Sequence, residues 1–155
     1  MQEVWKPVTG YENSYEISNS GNVRSIGRYV ILRNSSLRYV REKTLRPKNT
    51  GGYLFVALSK NGERKDHYIH RLVAQAFLPK YPGRNYVNHK DGNPSNNVVA
   101  NLEWVTHSEN VWHAYRTGLY KTKGKIGRRT EEMERKNYQD FQIFSNEFNY
   151  NRANR

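Results

Sequence analysis

The chain has 155 residues, with 26 Lys and Arg against 14 Asp and Glu, a net charge of +12, and no cysteine. A pI near 10.0 and a mean hydropathy of −1.01 describe a modest core and a surface suited to a polyanionic partner. Disulfides and Cys-based zinc sites are excluded, no apolar run approaches the roughly 20 residues of a membrane span, and the N-terminal Met1-Gln2-Glu3-Val4-Trp5 lacks a signal-peptide core. The expectation is a cytoplasmic protein, free or on nucleic acid, with no membrane contact.

In chain order, the first alternating pieces are Tyr15-Glu16-Ile17-Ser18 and Asn22-Val23-Arg24-Ser25-Ile26. Asn19-Ser20-Gly21 between them supplies turn residues, so the stretch predicts a β-hairpin with Trp5 and Tyr15 in its core. The next segment is basic. Arg24, Arg28, Arg33, Arg38, Arg41, Lys43, Arg46 and Lys48 face one acid, Glu42, for a net of +7 over residues 24–48. The planar guanidinium fork donates two hydrogen bonds to one phosphate, and Tyr29 and Tyr39 interleave with the arginines. This run is expected to lie along a duplex backbone or in a groove as a strand or ribbon, supplying affinity more than sequence choice.

Tyr53 to Leu58 reads as a buried strand, Asn61-Gly62 as a tight turn, and Arg64 to Ile69 as the returning strand. His70-Arg71-Leu72-Val73-Ala74-Gln75-Ala76-Phe77-Leu78 places Leu72, Val73, Ala76 and Phe77 on one face, a short amphipathic helix stopped near Pro79. His70 at its start is read as a structural histidine packing helix against strand. Tyr86-Val87 and Leu102 to Val105 are two further short strands joined by a turn-rich loop. Thr106 and Glu109 form a capping box for a helix running to about Thr117, with Gly118 beyond its end. A basic Gly- and Thr-containing linker follows, and residues 131–148 carry a ragged pattern compatible with a polar helix.

The stretch from Tyr86 to Ala114 concentrates His, Asn and Asp where strand, loop and helix meet. Hydrolysis of a phosphodiester requires a base for the attacking water, charge stabilisation at the phosphate, and help for the leaving oxygen. Histidine does the first near neutral pH, and one divalent cation with oxygen ligands can do the other two. His89, at the end of a strand and before a loop, is the candidate base, and Asn101 follows it at the head of the next strand.

Asn88-His89-Lys90-Asp91-Gly92-Asn93, joined to Asn101-Leu102-Glu103-Trp104-Val105-Thr106 and to Glu109-Asn110, resembles the HNH endonuclease motif of phage and intron-encoded homing endonucleases. His70-Arg71-Leu72-Val73-Ala74 also recurs in that family. The passage from Trp5 to Ser25 is similar to the small module that often precedes such HNH domains. The resemblance covers residues 4–118. It implies that His89 activates water, that Asn101 orients the active-site loop and the histidine, and that Asn88 and Asn110 hold Mg²⁺ or Mn²⁺. Several related enzymes carry Asp at the position of Asn88 and others His at the position of Asn110. An amide oxygen is a hard ligand without charge. Asp91 could add a carboxylate, but a turn cap is the preferred reading of Lys90-Asp91-Gly92-Asn93. His113, on the same helix face as Asn110, could substitute as ligand or contact DNA.

The expected fold is α+β: small antiparallel β-hairpins, then a ββα-metal nuclease core, then an extended basic C-terminal segment. The expected divisions are an N-terminal β module with the basic segment over residues 1–50, the nuclease domain over 51–118, and a basic linker and tail over 119–155. The partner is double-stranded DNA, with Trp112, His113 and Arg116 as contacts beside the basic run, and the chain is expected to be a monomer; either a one-strand nick or a double-strand break is open, with a single active site favouring the nick. The alternatives are a DNA-binding protein with a degenerate, inactive core, since Asn88 and Asn110 bring no charge, and an RNA-binding accessory protein.

Overall fold

Short strands separated by turn residues make small antiparallel sheets, and a computed structural model describes residues 2–119. The expected basic linker and the polar helix over 131–148 lie outside the described residues. In chain order the first elements are β1 (Trp5–Pro7), β2 (Tyr15–Ser18), β3 (Val23–Ser25), β4 (Arg28–Ile31), β5 (Leu37–Val40) and β6 (Lys43–Thr44). Then come β7 (Lys48–Thr50), β8 (Tyr53–Lys60), β9 (Glu63–Tyr68), α1 (Ile69–Phe77), β10 (Tyr86–His89), a 3-10 turn over Val99–Asn101, β11 (Leu102–Val105) and α2 (His107–Arg116).

The sheets are β1-β2-β3-β6, β4-β5, β7-β8-β9 and β10-β11, each antiparallel. The β2–β3 hairpin turns at Gly21, whose φ of +86° is one that L side chains rarely adopt. The β8–β9 turn uses Asn61 and Gly62, both at positive φ, as an Asn-Gly hairpin turn requires. In the β4–β5 ribbon, Tyr29 pairs with Tyr39 and Ile31 with Leu37. These four side chains share one face of the ribbon, and all are exposed.

One core joins the N-terminal hairpin to the later elements. Val8, Tyr15, Ile17 and Val23 pack with Val56, Leu58, Ile69, Leu72, Val73 and Leu102, and residues 1–119 form a single compact unit. The apolar stripe of α1 faces this core, as its 3.6-residue periodicity predicts. Trp104 on β11 is 4% exposed and donates its indole N–H to the Ala74 carbonyl at 3.3 Å, fixing β11 against α1. α2 begins with the expected capping box: Thr106 and Glu109 exchange hydrogen bonds of 3.2 and 2.7 Å. Arg84 donates to Glu109 at 2.7 Å and to the Trp104 carbonyl at 3.2 Å, tying that cap to β11. Antiparallel hairpins are thus followed by strand, loop, strand and helix, the α+β arrangement read from the sequence.

Candidate active site

β10 ends at His89 and β11 begins at Leu102, directly opposite it in the register. The twelve residues between form a loop held largely by its own amides. Asp91 is its hub: one carboxylate oxygen accepts from the Asn93 N–H at 2.8 Å and the Asn101 side chain at 2.9 Å, the other from Asn96 at 2.7 Å. These bonds hold the Asp91 carboxyl below its usual range, the Asn93 N–H foremost. Asp91 caps the turn, the preferred reading from sequence. Asn101 accepts from the Asp91 N–H and donates to the Asn96 carbonyl.

Asn101 therefore bonds to the loop, and among the described residues no hydrogen bond joins it to the imidazole. The ring is held by Asn97, whose side-chain oxygen lies 3.3 Å from His89 Nε2. Asn97 donates through its amide nitrogen to the Ser95 carbonyl at 3.2 Å, so its oxygen faces the ring and can only accept. The His89 Nε2 must carry the hydrogen, and Nδ1 is the basic nitrogen of the neutral ring. By sequence alone Asn97 has no assigned role at the site. In a loop with asparagine at 93, 96 and 97, nothing local singles out the one that meets the histidine.

His89 is 6% exposed, and burial pushes its pKa below the ordinary histidine value, against smaller opposing effects of Asn97 and Asp91. The His70 ring stands edge-on to it with centroids 5.2 Å apart, and Tyr53 lies 6.0 Å from His89 and 5.4 Å from His70. His70 is 8% exposed and its Nδ1 has no hydrogen-bond partner among the described residues. Burial, then the neighbouring His89 and Arg71, lower its pKa to about 4. The structural histidine expected at the start of α1 thus lies against the candidate base.

Asn88 is 6% exposed and donates to Glu103 at 2.8 Å across the β10–β11 pair. Asn110 is half-buried on the first half of α2. His113, one turn further on, donates from Nε2 to the Lys90 carbonyl at 3.1 Å, so it pins α2 to the residue after His89. Trp112 stacks near Tyr115 with centroids 6.1 Å apart, and Arg116 is exposed at the end of α2. Among the described residues no three His, Cys, Asp or Glu side chains gather as a cation site. A metal here would rely on amide oxygens, phosphate and water. Asn88 and Asn110 fit that description, being hard oxygen donors suited to Mg²⁺ or Mn²⁺.

The basic run divides in two. Arg24 is engaged by Glu16 at 2.7 Å and Glu42 at 3.3 Å and lies over the Trp5 ring. Arg28 donates to the carbonyls of Ser14 and Ile26 and lies over Tyr15. Both spend donors inside the fold. Arg33, Arg38, Arg41, Lys43, Arg46 and Lys48 are exposed and make no salt bridge among the described residues.

The N-terminal hairpin supports the loop directly. The Val99 N–H donates to the Asn19 carbonyl at 2.9 Å, and a Cβ on Gly21 would lie 2.9 Å from the Asn97 Cβ. On the other side, Ser95 donates its hydroxyl to the Gly52 carbonyl at 2.6 Å.

Two family models match the chain: the NUMOD4 motif over residues 3–59 and an HNH endonuclease over residues 67–112. The DNA endonuclease I-HmuI of Bacillus phage SP01 is 40% identical over 107 residues, covering 69% of this chain and 55% of that protein. The uncharacterized HNH endonuclease L245 of Acanthamoeba polyphaga mimivirus is 38% identical over 121 residues, 78% of this chain and 32% of that protein. A solved structure described as DNA binding and cleavage by the HNH homing endonuclease I-HmuI aligns with a TM-score of 0.57 and 33% identity, over 77% of this chain and 62% of that one. The chain thus spans between 32% and 62% of the length of these relatives.

Proposed function

We propose that this chain, which belongs to the HNH endonuclease family and carries a NUMOD4 motif ahead of its HNH domain, hydrolyses phosphodiester bonds in double-stranded DNA with a divalent cation. The observation that carries the reading is the His89–Asn97 contact. It fixes the tautomer of a buried imidazole at the end of β10, with the basic nitrogen left over. A neutral histidine at neutral pH is what a general base for water must be, and its lowered pKa keeps it so. His89 Nδ1 takes the proton of the attacking water. Asn101 and Asp91 hold the loop that carries it, and His113 ties that loop to α2. Asn88 and Asn110 would hold the cation, which when bound supplies Lewis-acid charge for the phosphate and the leaving oxygen. The exposed cations from Arg33 to Lys48 bind the duplex backbone, and Trp112 and Arg116 add contacts from α2. As a monomer with one such site, the chain cuts one strand per engagement.

Supercoiled plasmid incubated with the protein and Mg²⁺ or Mn²⁺ tests this. Relaxed circles are expected from the natural chain. His89→Ala should lower the rate by at least about a hundredfold while retaining duplex binding in a gel-shift assay. Binding with no cleavage under either ion favours the second reading, a DNA-binding protein with an inactive core. That reading is motivated by the two uncharged amides at 88 and 110. Stronger binding to RNA than to duplex DNA would point instead to the RNA-binding alternative.

A further inference from the structure

On the β10–β11 ribbon Asn88 and Glu103 stand directly opposite each other, and residues so paired share one face. The Asn88 amide nitrogen donates to a Glu103 carboxylate oxygen at 2.8 Å. A carboxylate only accepts. An amide beside it must therefore present its nitrogen, and its oxygen must point the other way. No described residue donates a hydrogen bond to that oxygen. Without Glu103 the two ends of the amide are nearly equal in shape and either could face the site, but only the oxygen can bind a cation.

We propose that Glu103 is a positioning residue that sets which end of the Asn88 amide faces the cation. The inference rests on the proposed role of Asn88 as a metal ligand and adds a cause for the amide there. An Asp at 88 would place two carboxylates opposite each other, where like charges repel. Asn88 accepts the Glu103 partnership and keeps one oxygen free. Glu103 thereby compensates for an amide that brings no charge by fixing its orientation in advance of binding. Nothing in the sequence pattern distinguishes this from an ordinary Glu on a half-exposed strand; the register does.

The test is a double-mutant cycle read by Mn²⁺ binding rather than by cleavage. The full chain is mixed with a short mixed-sequence DNA duplex, Mn²⁺ is titrated, and free Mn²⁺ is followed by electron paramagnetic resonance. Glu103→Gln keeps the shape but can donate as well as accept, so the Asn88 amide is no longer held one way. About a tenfold loss of Mn²⁺ affinity is expected, with an unchanged melting temperature. In the Asn88→Asp background both ends of residue 88 are oxygens, so Glu103→Gln should cost nothing there. Should Glu103→Gln fail to fold, Glu103→Met removes the acceptor with little change in volume and carries the same expectation. Full Mn²⁺ affinity in Glu103→Gln overturns the proposal. An equal loss in both backgrounds also overturns it, because Glu103 would then act by charge or as a ligand itself. No Mn²⁺ binding by the natural chain overturns this inference together with the cation site, whereas binding that is indifferent to Glu103 overturns this inference alone.

Discussion

His70 and His89 are both buried and face each other edge-on, with the partly exposed Tyr53 ring against each, and burial favours the neutral form of both. The His70 pKa falls from 6.5 to about 4 on folding, so the unfolded chain binds a proton that the folded one refuses. Stability is then full above the unfolded value and is lost as pH falls from 6.5 toward about 4. The loss from His70 is at most roughly 3 kcal/mol, at 1.36 kcal/mol per pKa unit. Urea unfolding at pH 7 and pH 4 measures it, and His70→Gln should flatten the difference. His89 contributes in the same direction. For the reaction, the acid limb of the cleavage profile should lie below pH 6.5, where the lowered His89 pKa puts it. Asn97→Asp places a negative charge against Nε2–H, so the acid limb should move to higher pH. A limb that stays put would mean that Asn97 does not act on the base.

At the scale of elements, the site depends on a turn distant in sequence. Gly21 in the β2–β3 turn has φ +86° and sits where an added Cβ would meet the Asn97 Cβ at 2.9 Å and its carbonyl oxygen at 3.3 Å. Gly21→Ala should cost roughly 1–2 kcal/mol for the left-handed backbone alone and push Asn97 away from His89. A urea melt reports the first effect, and a fall in cleavage exceeding the unfolded fraction reports the second. The hairpins themselves were legible. Gly21 and Asn61-Gly62 are strong turn signals, and the α1 stripe and the Thr106–Glu109 cap follow rules a few residues long. β1 and β7 were not read, because Trp5-Lys6-Pro7 and Lys48-Asn49-Thr50 hold too few apolar residues to alternate. For β7 the Gly51-Gly52 pair was a turn signal left unused. The pairing of β6 with β3 joins segments almost twenty residues apart, and no local pattern encodes it.

For the whole molecule, the decisive quantity is charge held at the surface. Six cations between Arg33 and Lys48 are exposed, while Arg24 and Arg28 are drawn into ion pairs, carbonyl contacts and ring contacts. Duplex affinity should therefore fall steeply with salt. Replacing Arg38 and Arg41 together by Gln should reduce the slope of log affinity against log salt by roughly 0.9 for each phosphate contact removed. Arg24→Gln should change that slope less and stability more. Fluorescence anisotropy over a salt series separates the two.

By itself the sequence determined the polyanion-seeking charge, the hairpin and helix positions, and the HNH pattern with its candidate base. Each of these rests on residue type and spacing within a short window. Tertiary structure decided the rest. It assigned the imidazole contact to Asn97 rather than Asn101, set Glu103 against Asn88, placed His70 beside His89, and brought the N-terminal turn under the active-site loop. The physical reason is that hydrogen bonds and ring contacts depend on register and on loop closure. Both emerge only when strands far apart in the chain pack on one core.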